Sequence, residues 1–391
     1  MKKNLLALAV LAVISGAAAA QSAVVLYGNV DLGVLTQNHS PAGGSSTSIA
    51  NGGISPSIWG FRGTEDLGGG LKASFNLEGH FAADTGTSDT RLFRRQSNVG
   101  FSSESLGTLT LGNQYSPAIL AFAATDPRGL RENFSGLYPW AYNSGALTAG
   151  NNGNNDAGVF IQNAVSYSHK LGPVGIAAGY SVSENRGAVV SLGITYAGPV
   201  SLSAAYQGTN LPGTSERMST LYTVGAGYTV GSLTGKLNYL QGVNKNAALV
   251  ETSKVSVTGV GLDWKTAANN TVMGALYFGK NKTNSQDKTT TLILSDEYAL
   301  SKRTTLYGTF TYADAKAGAT LLTTVVAGGT AANVGTSLFN VGVRHSFCPA
   351  RRPFSPGIPS RESRGLAKHS GLCKHNNFSS FPRRREFSNT G

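Results

Sequence analysis

Between residues 21 and 347 the chain has no cysteine; Cys348 and Cys373 both lie beyond Phe347. This excludes a disulfide framework and thiol chemistry for that body. Charge is also scarce, at 13% of 391 residues, and the formal +12 misleads. Residues 348–391 take nine of the 32 Lys/Arg and two of the 20 Asp/Glu, and Lys2 and Lys3 take two more, which leaves 21 against 18 in the body, or +3. A nucleic-acid partner read from overall basicity is therefore excluded. The body histidines, His39, His80, His169 and His345, are scattered, so neither a metal cluster nor a Ser/His/acid constellation is expected. No nucleophile motif stands near them, and the reading is of a non-enzyme without a cofactor. Beyond the first twenty residues no apolar run is long enough for a membrane helix, and no helical periodicity is sustained.

The first twenty residues, MKKNLLALAVLAVISGAAAA, have the three-part layout of a secretory signal: two lysines, an apolar run from Leu5 to Ile14, then small residues to Ala20. The run is too short to span a bilayer as a mature helix, and small residues crowd the expected cleavage site. The mature chain is expected to begin at Gln21 and to be exported.

What the body does have is alternation. In GLKASFNLEGHF (70–81), Leu71, Ala73, Phe75, Leu77 and Phe81 take one face, and Lys72, Ser74, Asn76, Glu78 and His80 the other. In TTLYGTFTYAD (304–314), Leu306, Phe310 and Tyr312 oppose Thr305, Thr309 and Thr311. One face suits lipid and the other water, which is the repeated signal of a transmembrane β-barrel.

Read this way, the body yields sixteen candidate strands, near 24–34, 57–67, 70–81, 94–103, 107–115, 161–170, 174–182, 187–197, 200–209, 219–230, 233–242, 256–266, 271–280, 290–301, 304–314 and 337–347. Tight connections at 67–70, 171–173, 198–199 and 231–232 contrast with long ones at 35–56, 116–160 and 315–336. Short turns on one side and long loops on the other are the asymmetry of outer-membrane barrels. A soluble β-sandwich also has short alternating strands, but it needs fewer of them and an apolar inward face.

LYGNVDLG (26–33), IWGFRGTEDLGGGLKASFNLE (58–78), FRRQSNVGF (93–101), LGTLTLGNQYSP (106–117) and NVGVRHSF (340–347) closely resemble the general porins of Gram-negative outer membranes, particularly the beta-proteobacterial branch. The resemblance covers about residues 21–347. It implies an all-β fold, a sixteen-stranded antiparallel transmembrane barrel with an inward-folded third loop, homotrimeric and water-filled. The partners it implies are outer-membrane lipid and lipopolysaccharide, the barrel assembly machinery, and the small hydrophilic solutes and ions that diffuse through.

Sixteen strands enclose an aqueous channel where eight would be filled by side chains, and a spanning sheet must close because unpaired backbone cannot be left in lipid. The 116–160 segment, carrying Asp126, Arg128, Arg131 and Glu132, is the expected constricting loop. The resemblance places a basic wall opposite it, where facing charges would set up a transverse field. Arg62 and Arg95 match that wall, and alternation from Phe61 puts Arg62 in the lumen. Two positions depart from the pattern: Ile58 and Phe160 stand where wall arginines are usual, so the branch's anion preference is in doubt. Arg94, next to Arg95, should point the other way, toward a protomer interface or a loop base.

Phe347 ends the last strand as the family's C-terminal aromatic assembly signal does. Residues 348–391 lack alternation and read as foreign, the mix expected of a frameshift or fusion, against a genuine basic tail that binds an anionic surface. The function expected is passive diffusion of ions and small hydrophilic solutes. The alternatives are a substrate-selective porin and a structural or adhesive outer-membrane barrel.

Overall fold

The last strand, Gly335–Phe347, divides its side chains cleanly. Leu338 and Asn340 are fully covered, whereas Phe339, Val341 and Val343 are exposed by 57, 67 and 42%. The apolar residues face outward, the reverse of a soluble protein, as a wall surrounded by lipid and enclosing water requires.

The computed structural model describes residues 24–145, 152–315, 325–326 and 329–347. The expected signal at 1–20 and the tail at 348–391 lie outside these residues. The strands are β1 Val25–Gln37, β2 Ile58–Gly68, β3 Leu71–His80, β4 Gln96–Ser103, β5 Gly107–Tyr115, β6 Phe160–Leu171, β7 Val174–Ser181 and β8 Val189–Ala197. They continue as β9 Val200–Asn210, β10 Arg217–Val230, β11 Leu233–Lys245, β12 Glu251–Ala267, β13 Asn270–Asn281, β14 Lys288–Ala299, β15 Thr304–Ala315 and β16 Gly335–Phe347.

Each strand pairs antiparallel with its chain neighbours, and β1 closes the sheet on β16 from Gly28↔Phe347 to Gln37↔Leu338. The result is a closed barrel of sixteen antiparallel strands, with all sixteen expected segments in place. Two short strands supplement the wall: Ser46–Asn51 pairs with the upper half of β1, and Asn155–Asp156 with the start of β6.

One expectation needs correction. The strand expected over 94–103 begins at Gln96, so Arg94 and Arg95 precede it and are not governed by its alternation. The 116–160 segment holds two short helices, α1 Pro117–Ala123 and α2 Leu137–Asn143, that the sequence reading did not place. The first is seven residues long, too short to display periodicity, but it carries the local signals of a helix start. Ser116 accepts a hydrogen bond from the Ile119 amide at 3.2 Å, and Pro117 opens the first turn.

The loop lies inside the barrel, against inward-facing residues. The Ala118 amide donates to Ser191 Oγ at 2.9 Å, and the Thr125 and Ser203 hydroxyls are 2.6 Å apart. Two inner-wall glycines make room for it. A Cβ at Gly193 would stand 2.5 Å from the Pro117 carbonyl, and one at Gly242 would stand 2.6 Å from Asn143 Cβ.

Candidate functional site

The inward series of β2 is Ile58, Gly60, Arg62, and opposite it on β3 stand His80, Glu78 and Asn76. These positions put the wall charges at one height. The Arg62 guanidinium lies 5.0 Å from the centre of the Tyr27 ring, a cation–π contact. Tyr27 Oη is 2.7 Å from Asn76 Oδ1 and 2.9 Å from Glu78 Oε2. Arg95 Nε donates to Glu78 Oε1 at 2.7 Å, and its Nη2 donates to the Tyr115 hydroxyl. The same guanidinium stands 5.7 Å from the Tyr115 ring and 5.1 Å from Phe160. Arg62 and Arg95 are thus brought together with Phe160, and Ile58 lies on the same inner face. Arg95 is ion-paired, which the sequence reading did not anticipate, because Glu78 was read only as one member of a polar face.

The four charged loop residues divide. Asp126 is fully buried and organises the loop. Its Oδ2 accepts from the Arg128 and Leu130 amides at 3.1 and 2.9 Å, and its Oδ1 from the Gly136 amide and the Tyr277 hydroxyl at 3.2 and 3.0 Å. Burial pushes the Asp126 carboxyl above its ordinary range, and the donors around it work in the opposite direction. Arg128 is only 2% exposed; its Nε donates to the Phe134 carbonyl at 3.2 Å and its Nη1 to Ser295 on the wall. Burial, and after it the charge of Arg131, lowers the Arg128 guanidinium from its ordinary value. Arg131 makes a two-pronged pair with Glu297 of β14 at 2.7 and 2.9 Å.

Asp126, Arg128 and Arg131 therefore hold the loop to itself and to β13 and β14. Two of the four, Asp126 and Arg128, are buried. Glu132 differs. Its amide donates to the Ile54 carbonyl at 3.2 Å, its side chain packs by Gly52, and its charge acts on Arg95.

Packing fixes the rest of the loop. Trp140 is fully buried, stacks on Phe122 with centroids 5.1 Å apart, and donates from Nε1 to the Gly158 carbonyl at 3.1 Å. Beneath α1 a cavity of about 540 Å³ remains open, lined by Thr108, Leu120, Ser168 and Thr195 among others. The loop therefore narrows the lumen and does not fill it at that level.

Sequence reasoning missed Asp31. It is buried on the inner face of β1, accepts from the Gly53, Ile54 and Ser55 amides at 3.2, 2.9 and 2.8 Å, and takes the Tyr307 hydroxyl at 2.7 Å. It thereby folds the first long connection against the wall beside Glu132. A signal was available: an acid in LYGNVDLG on the inner face of the first strand needs donors once it is buried.

Arg94 sits at a loop base. Its Nε and Nη2 donate to Asp156 at 2.9 and 2.8 Å, and its Nη1 reaches Asp89 at 3.2 Å, while Arg91 also pairs with Asp156. Together they latch the 81–95 connection to the returning limb of the inner loop. Burial alone would raise the Asp156 carboxyl, but hydrogen bonding and charge from Arg94, then Arg91, hold it below the ordinary value. A depressed acid contributes stability above its unfolded pKa, and that contribution is lost as pH falls through the folded one. The latch should hold through neutral and mildly acidic pH and open only below about pH 4. Amide exchange across 81–95, corrected for its intrinsic pH dependence, tests this: faster exchange already near pH 6 would contradict it, and Asp156→Asn should expose these amides at pH 7.

Among the described residues no group of three or more His, Cys, Asp or Glu could hold a metal ion. The arrangement suits electrostatic filtering of solutes in a water-filled constriction.

Comparison with known proteins gives a consistent result. The chain matches the family described as Gram-negative porin over residues 7–318. Outer membrane porin protein 32 of Delftia acidovorans is 33% identical over 377 residues, 89% of this chain and 100% of that relative. An anion-selective porin from Comamonas acidovorans superimposes with a TM-score of 0.73 at 27% identity, over 84% of this chain and 100% of that one. OmpT of Vibrio cholerae in its trimer form gives 0.60 at 15% identity, over 83% and 99%, a likeness of fold alone.

Proposed function

Since the chain belongs to the Gram-negative porin family, we propose that its outer-membrane channel is a weakly selective one with a shallow anion preference. The channel itself is a general diffusion porin, a water-filled barrel for passive passage of ions and small hydrophilic solutes. The observation that carries the proposal is that three cations on the inner side of the wall are paired with carboxylates. Arg95 stands 2.7 Å from Glu78, Arg131 2.7 Å from Glu297, and Lys236 3.0 Å from Asp263. A paired cation adds little to the field seen by a passing ion, because its partner cancels it beyond a few ångströms. With Ile58 and Phe160 where further arginines would stand, the basic ladder is short. The Comamonas porin is described as anion-selective; this chain retains that sign in weaker form.

Planar-bilayer recording under a salt gradient tests the reading. A reversal potential slightly on the anion side is expected, and a near-ideal value of either sign would overturn it. Replacing Arg62 and Arg95 together with Ala should move the reversal potential toward cations, while Ile58→Arg moves it toward anions. Both shifts should shrink at 1 M salt, where screening shortens to about 3 Å. A potential unmoved at low and high salt would remove these residues from selectivity. In liposome swelling, sugar flux should fall with size and not saturate; saturable uptake of one solute class would favour a substrate-selective porin. The channel assembles as a homotrimer in this proposal, supported by the trimer form of OmpT. Heat-sensitive oligomers on gels are the expected result, and protein that is monomeric in mild detergent would count against it.

A further inference from the structure

The inner wall below α1 is hollowed. On β7 the inward series is Gly175, Ala177, Gly179, and the facing residues of β8 run from Thr195 through Gly193, so that only Thr195 has a side chain larger than a methyl group at the lower end. Gly193 and Gly179 admit the helix, since a Cβ at either would press on Pro117. Gly175 is not so covered. A Cβ there would meet only Thr195 Oγ1, at 2.7 Å. With Thr108 of β5 and Ser168 of β6, which oppose each other across the ladder, these residues bound the cavity of about 540 Å³. That volume is in the range of small-molecule sites.

The surfaces of this cavity differ in kind. Every residue of α1 except Leu120 is buried, so the one partly open apolar side chain of the helix overhangs the space. The sides offer the hydroxyls of Thr108, Ser168 and Thr195, none of them engaged in a hydrogen bond among the described residues. The end toward the short turns carries one charge of each sign, Glu104 between β4 and β5 and Lys170 near the end of β6. Both are exposed, and neither has an ion-pair partner among the described residues. The His169 ring lies on the outward side with Tyr167 and adds no charge here. A dianion would meet Glu104 and a dication would meet Lys170, whereas a solute carrying one charge of each sign satisfies both.

We propose that the hollow below α1 is a residence site for small zwitterionic solutes with an apolar side chain, the chemical class of the neutral amino acids. Lys170 receives the carboxylate, Glu104 the ammonium, and Leu120 covers the side chain. The site rests on the open-channel reading above and is independent of the sign of the channel's selectivity. It holds its solute weakly, as a pore requires of any site that the solute must also leave.

The test records current through the full chain in planar bilayers, with L-leucine added at neutral pH on the short-turn side. Open-channel noise should rise with a midpoint on the order of millimolar, because the charged contacts face water. Glycine, which lacks the apolar side chain, should act on the order of tenfold more weakly. Leucinamide and 4-methylpentanoate keep one charge each and should also be weaker. Lys170→Gln and Glu104→Gln should each raise the leucine midpoint several-fold, and Leu120→Ala should bring leucine close to glycine. Ala177→Leu, which fills the hollow, should abolish the effect, while Lys302→Gln, in a turn outside the cavity, should leave it unchanged. Equal action of leucine and glycine, or of leucine and either singly charged analogue, would overturn the proposal. A full leucine effect in both Ala177→Leu and Leu120→Ala channels would do so too, by placing it elsewhere in the lumen. Conductance without added amino acid reports whether each pore is open, so failure of this site and failure of the channel reading are distinguishable.

Discussion

Asp126→Ala should turn a steady channel into a wider and noisier one. Three backbone amides and the Tyr277 hydroxyl converge on this carboxylate. Removing the acceptor strands them in a buried place, at about 1–3 kcal/mol for each donor left unmade. The barrel ladder does not depend on these bonds, so oligomer yield and heat stability should be nearly unchanged. The turn 126–136 should lose its shape, and with it the placement of Arg128 and Arg131 on β13 and β14. Mean single-channel conductance should rise, with open-channel fluctuations on the microsecond-to-millisecond scale of loop motion. Arg131→Ala, which removes only the pair with Glu297, should have a smaller effect in the same direction, since the Asp126 turn survives it. Unaltered conductance and noise in Asp126→Ala, with oligomers intact, would show that the loop is held by its apolar anchors, such as Trp140 on Phe122, and that Asp126 is dispensable.

The wall was legible in the sequence because its physics is local. A strand with lipid on one face and water on the other must alternate, and the 70–81 segment displays that without any knowledge of its neighbours. Arg62 follows the same rule, one residue from Phe61 and on the strand face of Ile58 and Gly60. The lumen was less legible because its partners are remote in sequence. Arg128 reads as a solvated loop charge until Ser295, 167 residues away, is seen beside it. Tyr307 is 276 residues from the Asp31 it serves. Glu78 and Arg95 are close in sequence, but an irregular connection separates their strands, so alternation could not say that they pair. Helix α1 was overlooked because seven residues give no period, although Ser116 and Pro117 announced its start.

Gly28→Val should abolish assembly of the barrel. Gly28 lies on the outer face of β1, opposite Phe347 on one side and Trp59 on the other. A Cβ there would stand 2.2 Å from the Ile58 carbonyl oxygen and 2.5 Å from Phe347 Cζ. Overpacking costs about 1–3 kcal/mol where side chains can give way, but the nearer obstacle here is backbone. This is also where the first and last strands close the sheet, and an open seam would leave unpaired backbone groups in lipid. The Phe347 ring covers the bare glycine across the seam, a pairing that shields backbone from the surroundings. Phe347→Ala removes that cover while leaving every ladder bond possible, so it should lower the yield of heat-modifiable oligomer in outer membranes less severely than Gly28→Val. The two together discriminate further. If the ring were the obstacle, Phe347→Ala would rescue Gly28→Val; because the Ile58 carbonyl is closer, the double variant should fail as completely as the single one. Full recovery in the double variant, or normal oligomer from Gly28→Val alone, would show that the seam tolerates a side chain and that Phe347 serves assembly by some route other than its contact with Gly28.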